Sequence, residues 1–201
     1  QNLSPDVKRV HHKAVVIDTH TDTPMNLLKD GFNLAESHTL PSRVDIPRLR
    51  EGEVDAVFFA LFTPQRDRTP ETYEETYKLA HQMLDSTRVT VGRNPAKAGM
   101  AASPAEIIRL SKKNRTAVCL GMENGFPLAK DITRLKEFYD RGVRYITLCH
   151  SANNDICDSS NDRKGPEHDG LSNFGKQVVA EMNRLGMIID VSHISDKSFF
   201  D

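Results

Sequence analysis

The chain has 201 residues, which is enough for one domain with a substantial core. Its 27 lysine and arginine residues nearly balance 28 aspartate and glutamate residues, so the formal net charge is only -1. This balance excludes a strong electrostatic field that would attract nucleic acid or anionic lipid, and no apolar run approaches the ~20 residues of a membrane-spanning helix. Small neutral or zwitterionic partners are therefore expected.

The N-terminal segment and the cysteines bear on cellular location. A chain that begins at Gln1 with the polar segment QNLSPDVKR suits a mature exported protein whose signal has been removed, so we favour an exported over a cytoplasmic location. Cys119, Cys149 and Cys157 are an odd number without C-x-x-C spacing, which argues against a disulfide framework and against a cysteine zinc site. We expect them to be small buried residues.

Apolar, β-branched segments that alternate with helical segments predict the secondary structure. The predicted buried strands are AVVIDTH (14–20), VDAVFFALF (54–62), TAVCLGMEN (116–124), VRYITLCHS (143–151) and GMIIDVSH (186–193). The predicted helices cover residues 70–94, 103–114, 131–142 and 171–186. Ser103 and Asp131 are expected to cap the helices that they open, and Gly142 and Gly186 are expected to end helices.

The alternation of strands and helices predicts an α/β fold with a parallel sheet. No G-x-G-x-x-G or Walker loop follows any strand, and ionisable residues stand at the strand ends instead, which favours a TIM-like (β/α)₈ barrel over an open doubly wound sheet. A complete barrel takes about 250 residues and eight strands. We therefore interpret residues 1–201 as the N-terminal part of a single barrel domain, with the first five or so βα units, and keep a compact open α/β domain as the alternative.

The segment VVIDTHTDTP predicts the first part of a metal site. Side chains on a strand alternate between its faces, so Asp18, His20 and Asp22 share one face, with ~7 Å between neighbouring members at the backbone. His20 and Asp22 can converge on one ion, and Asp18 can orient a ligand from behind or serve as a plain hydrogen-bonding group. Alone, an H-x-D sequence also suits a helix cap or a polar cluster at a strand end.

Three further strands strengthen this interpretation, because they end at Glu123, His150 and His193. The carboxyl ends of parallel strands meet at one rim, where these groups and the H-x-D pair would suffice for two metal ions bridged by one carboxylate. Two such ions acidify a shared water toward a pKa of about 7 and polarise a carbonyl, which predicts hydrolysis by metal-bound hydroxide. A serine nucleophile is not expected, since G-x-S-x-G is absent.

The motifs around these residues resemble the membrane (renal) dipeptidase family, zinc peptidases of the amidohydrolase type. They are THTDTP, GMENG, ITLCHSANN followed by CDSS, GLSNFG, and EMNRLGMIIDVSH, and they occur in order from about residue 12 onward. Animal members of the family carry a disulfide close to the active-site histidine, for which HSANN has no matching cysteine. Bacterial-type members are thus the closer comparison, for which an exported location would be the periplasm.

The resemblance implies a role for each matching residue. His20 and Asp22 would bind the first of two Zn²⁺ ions, Glu123 would bridge the pair, and His193 would bind the second ion. His150 would contact substrate and steady the tetrahedral intermediate without binding metal. The family's further histidine ligand, substrate-binding arginine and proton-transfer aspartate match nothing here and are expected on later strands.

The implied activity is the hydrolysis of dipeptides, with tolerance for a D-residue at the C-terminal position. Small dipeptides are the expected partners, nucleic acid is not, and a homodimer is left open. Two other functions stay open: a related binuclear amidohydrolase that acts on another small amide, lactam or ester, and a non-catalytic small-molecule-binding homologue. The remaining histidines, which include His81 and His168, are expected to be solvated.

Overall fold

The computed structural model describes residues 4–39 and 42–201. The first residues of the polar N-terminal segment, from which an exported location was predicted, lie outside the described residues. The strands are β1 Ile17–Thr21, β2 Ala56–Phe62, β3 Ala98–Met100, β4 Thr116–Glu123, β5 Val143–Thr147 and β6 Ile188–Asp190. The α-helices are α1 Pro5–Lys13, α2 Thr23–Leu27, α3 Ile46–Glu51, α4 Pro70–Gly92, α5 Pro104–Ser111, α6 Ile132–Asp140, α7 Asn173–Leu185 and α8 Asp196–Phe200, with a 3₁₀ helix at Phe126–Leu128.

Each predicted strand and helix is present, although the strands expected to reach His150 and His193 end earlier, at Thr147 and Asp190. The Ser103 and Asp131 side chains accept the N–H groups of Glu106 and Thr133 at 3.3 and 2.9 Å, respectively, so both residues cap their helices. Gly186 ends α7 in the left-handed conformation with φ 73°. The three-residue strand β3 was not predicted.

The first of two compact units consists of Gln1–Phe59 and Asp85–Cys119. Within it β1 pairs in parallel with the start of β2, and β3 pairs in parallel with the start of β4. A small apolar core of this unit is made by buried residues of its strands, of α5 and of the segment between β3 and α5: Ala56, Ala101, Ile107, Leu110, Ala117 and Cys119. Parallel pairing with apolar strand residues is the pattern expected of an α/β fold.

The second unit consists of Ala60–Leu84 and Leu120–Asp201. Here the end of β4 pairs in parallel with β5, and β5 pairs in parallel with β6. The register sets Glu123 beside Thr147, and Thr147 beside Asp190. Three strands therefore end side by side in this unit, and their carboxyl ends point the same way.

Two features differ from the sequence predictions. The strands β1 and β6 are not buried, since Ile17 is 41% and Ile188 58% exposed. Among the described residues β1 pairs only with β2 and β6 only with β5, so each has an open edge that an apolar sequence cannot reveal. The solvated setting predicted for His81 and His168 is also wrong: the His81 ring stacks on Phe138 at 4.8 Å, and His168 Nε2 donates to Asn154 O at 2.8 Å.

Cys119, Cys149 and Cys157 are buried, as predicted. Among the helices that the structure describes, not one has both the length and the apolar character needed to cross a bilayer.

Candidate metal centre

The second unit brings three of the predicted site residues together. Glu123 is the last residue of β4, and His150 and His193 each follow the end of a neighbouring parallel strand by three residues. Glu123 Oε1 lies 3.5 Å from His150 Nε2 and 3.2 Å from His193 Nε2. The two imidazole rings are 4.5 Å apart at their centroids. One carboxylate and two imidazoles thus converge on a common point.

Burial differs among these three groups in a way that suits a metal site open to substrate. The Glu123 side chain is 8% exposed, whereas those of His150 and His193 are 27% and 34% exposed. The Phe62 ring meets the His150 ring edge-on at 5.0 Å between centroids and limits its movement on one side. The carboxylate therefore lies at the base of the cluster, and the imidazoles face solvent.

A tight turn after β6 presents His193. Asp190 Oδ1 accepts the backbone N–H of Ser192 at 3.0 Å, and Asp190 Oδ2 accepts the hydroxyl of Thr147 at 2.5 Å. His193 itself has φ 68°, a left-handed conformation that is uncommon for a residue with a Cβ atom. Non-glycine residues in this region cost of order 1–3 kcal/mol and cluster at functional sites.

A buried asparagine pair lies in the segments that follow β4 and β5. Asn124 and Asn154 are both 0% exposed, and Asn154 Nδ2 donates to Asn124 Oδ1 at 3.0 Å and to Leu148 O at 2.7 Å. Asn124 Nδ2 donates in turn to Thr63 O at 3.1 Å. Because these bonds connect the backbone that follows three strands, they hold the strand ends in place.

The first unit contains the other predicted site residues. His20 lies in β1, Asp22 follows that strand, and His20 Nε2 is 3.6 Å from Asp22 Oδ1. Both side chains are accessible, at 38% and 59% exposed. Asp18 Oδ1 accepts the backbone N–H of His20 at 3.0 Å, so it contacts the backbone of this residue.

The donor chemistry of both groups suits a divalent cation. Glu123, His150 and His193 each offer one ligand atom, and these atoms lie within 4.8 Å of one another. Imidazole nitrogen and carboxylate oxygen are the donors that zinc takes in catalytic sites. His150 has a ligand-capable position in this cluster, although the family resemblance assigns it to substrate. The described residues therefore fit a metal site.

Sequence reasoning missed the polar residues that support the site. Ser159 and Ser160 belong to the CDSS motif and contact the His193 backbone, and Asn124 and Asn154 occupy buried positions. The available signal was the GMENG, HSANN and CDSS motifs, in which Asn154 and Asp158 could shape the rim, but turn chemistry explains such residues equally well.

Comparison with known proteins identifies the family. The sequence profile of the membrane dipeptidase family, peptidase family M19, matches residues 5–201. The chain belongs to this family. Dipeptidase verJ of Clonostachys rogersoniana is 32% identical over 209 residues, which cover 96% of this chain and 52% of verJ. An uncharacterized dipeptidase of Schizosaccharomyces pombe is 31% identical over 208 residues, which cover 96% of this chain and 50% of that protein.

Solved structures extend the comparison to the fold. The probable dipeptidase PvdM from Pseudomonas aeruginosa matches with a TM-score of 0.88 at 27% identity, covering 97% of this chain and 50% of that one. A metallopeptidase from Rhodobacter sphaeroides, solved with a phosphinate mimic of the dipeptide L-Ala-D-Ala, matches with a TM-score of 0.80 at 21% identity and shares the fold. The chain spans about half the length of the curated relatives it matches. The predicted partial TIM-like barrel is thereby confirmed.

Proposed function

We propose that the complete protein is a zinc-dependent dipeptidase that hydrolyses the peptide bond of dipeptides. One observation carries the proposal: Glu123, His150 and His193 gather ligand atoms within 4.8 Å at the ends of parallel strands. Membership of the membrane dipeptidase family gives this cluster a peptidase context. A homodimer stays a prediction.

The proposed metal centre has one role for each predicted ligand. We assign His20 and Asp22 to a first zinc ion, His193 to a second, and Glu123 to both as the shared carboxylate. Bound zinc would lower the pKa of a water molecule and polarise the carbonyl of the scissile bond. Asp18 would fix the backbone at His20, since its carboxylate accepts that N–H group at 3.0 Å.

His150 is proposed to act on substrate. Its Nε2 lies 3.5 Å from Glu123 Oε1, and its side chain is 27% exposed, so the imidazole is both close to the shared carboxylate and accessible. A hydrogen bond from this imidazole would stabilise negative charge as it develops on the carbonyl oxygen. The edge-on contact of the Phe62 ring with the His150 ring would preserve that orientation.

The most specific part of the proposal is that the enzyme accepts a D-residue at the C-terminal position of its dipeptide substrate. The Rhodobacter sphaeroides structure, which shares the fold, holds a mimic of L-Ala-D-Ala. We expect L-Ala-D-Ala and L-Ala-L-Ala both to be hydrolysed. Turnover of N-acetylated dipeptides, lactams or esters in preference to free dipeptides would instead favour another amidohydrolase activity.

Substitution of the site residues in the complete, zinc-loaded protein tests the proposal. His20→Ala and Glu123→Gln should abolish turnover and lose zinc, whereas His150→Ala should keep zinc and slow the chemical step by about 10²-fold or more. His12→Ala is the matched control, because its side chain is 80% exposed on α1. Full activity of His20→Ala would refute the assignment, and substoichiometric zinc with unchanged dipeptide would favour a non-catalytic binding protein.

A further inference from the structure

The backbone carbonyl of His193 is held by an unusual number of donors. It accepts the N–H of Ser160 at 2.8 Å, the hydroxyl of Ser160 at 3.0 Å and the hydroxyl of Ser159 at 3.3 Å. Cys149 Sγ adds a weak contact at 3.8 Å. All of these donors belong to the region between β5 and α7, so this region fixes the turn in which His193 has φ 68°.

Ser159 contacts both histidines of the cluster. Its hydroxyl lies 2.6 Å from His150 O and 3.3 Å from His193 O. A hydroxyl carries one proton, so the shorter bond to His150 receives the larger share and the longer contact is secondary. Ser159 is itself only 8% exposed, so its hydroxyl bonds mainly within the protein. One small side chain thus connects the backbones that carry the two imidazoles.

Ser159 is also held by a contact that does not involve the histidines. Its backbone N–H donates to Asn153 Oδ1 at 2.8 Å. The preceding residue, Asp158, accepts the N–H groups of Glu167 and Gly170 at 2.8 and 2.9 Å. The position of Ser159 is therefore fixed, and its hydroxyl can hold the backbones of both histidines in place.

We propose that Ser159 is a positioning residue that sets the separation of the His150 and His193 imidazoles over Glu123. The proposal rests on the proposed function, since this separation matters only where the two rings serve a metal ion and a substrate. Polar groups that orient metal ligands typically change metal affinity or activity 10–100-fold when they are removed. Ser160 contributes less through its hydroxyl, because its backbone N–H would remain after substitution.

Two variants separate positioning from mere folding. Ser159→Ala removes the hydroxyl, and Ser159→Thr retains it. Ser172→Ala is the matched control, because Ser172 lies in the same region and caps α7 without contacting either histidine. Crystal structures of the metal-free complete protein give the separation of the two rings, and Zn²⁺ titration gives the affinity.

We expect Ser159→Ala to shift the ring separation from 4.5 Å by on the order of 1 Å and to weaken Zn²⁺ binding about 10-fold. Ser159→Thr should restore both values, and Ser160→Ala should change the affinity by less than about 3-fold. An unchanged ring separation in Ser159→Ala, or an equal loss of affinity in Ser172→Ala, would overturn the proposal. Wild-type protein that binds no Zn²⁺ would defeat the proposed function, while the ring separation would still decide the role of Ser159.

Discussion

Asp158 is a buried carboxylate that organises the region beside the candidate site. It is 1% exposed and accepts the backbone N–H groups of Glu167, His168 and Gly170 at 2.8, 3.0 and 2.9 Å. Burial alone raises the pKa of this carboxyl, but the hydrogen bonds lower it more, so the pKa of Asp158 lies below its ordinary value of 3.8. Its charged form is therefore preferred in the folded protein.

This pKa shift predicts the direction of a pH effect on stability. A carboxyl whose pKa is lower in the folded state contributes stability above its unfolded pKa, and this contribution is lost as pH falls through the folded pKa. We expect Asp158→Asn to lower the free energy of unfolding by about 1–3 kcal/mol at pH 7. Urea unfolding from pH 7 to about pH 2 should show a shallower acid loss in Asp158→Asn than in wild type.

Asp30→Asn is the matched control for this experiment, because Asp30 is exposed in a turn. It should leave both the stability at pH 7 and the acid loss unchanged. An Asp158→Asn variant whose stability parallels that of wild type at every pH would show that the buried carboxylate does not contribute in the way described.

At single residues, the sequence identified chemistry better than conformation. Glu123, His150 and His193 could be predicted because each lies at or just after the end of an apolar strand, and parallel strands share one rim. The left-handed φ of His193 and the contacts of Ser159 could not be predicted. The Ser159 hydroxyl contacts His193, 34 positions away, and His150, 9 positions away. Such bonds are set by how the loops fold over the strand ends, and a short motif does not report that.

Between elements, the first turn of α7 approaches the loop after β5 very closely. A Cβ atom on Gly175 would lie 2.0 Å from the carbonyl oxygen of Ile156, so only glycine permits this contact. We expect Gly175→Ala to lower the free energy of unfolding by about 1–3 kcal/mol, measured by urea unfolding. Gly92→Ala is the control, because nothing lies within 4 Å of its added Cβ, and it should be neutral or slightly stabilising. Equal stability of the two variants would contradict the close approach.

The secondary structure was predictable where local chemistry determines it. Ser103 and Asp131 cap their helices as expected, because a cap depends on residues within one turn. The strand β3 has the sequence AGM, which lacks β-branched residues, and its pairing with β4 is what makes it a strand. The exposure of β1 and β6 depends on their having an open edge, which is a property of neighbours far away in sequence.

For the whole molecule, the proposed metal centre predicts that zinc stabilises the folded protein. A ligand that binds only the folded state adds about 2.7 kcal/mol per site at 100 times its dissociation constant. The midpoint temperature of thermal unfolding of the complete protein should therefore rise when Zn²⁺ is added and fall back when a chelator removes it. His12→Ala should keep this shift and Glu123→Gln should lose most of it. An equal shift in Glu123→Gln would place the stabilising zinc elsewhere.

The most direct test of the metal centre is anomalous diffraction at the zinc absorption edge from crystals of the complete protein grown with Zn²⁺. We predict two anomalous peaks. Each should lie ~2.0–2.2 Å from a Glu123 carboxylate oxygen, which is the length of a zinc–carboxylate bond. His20 and Asp22 should bind one ion and His193 the other. The absence of a peak at Glu123, or peaks only at other surface histidines, would contradict the account.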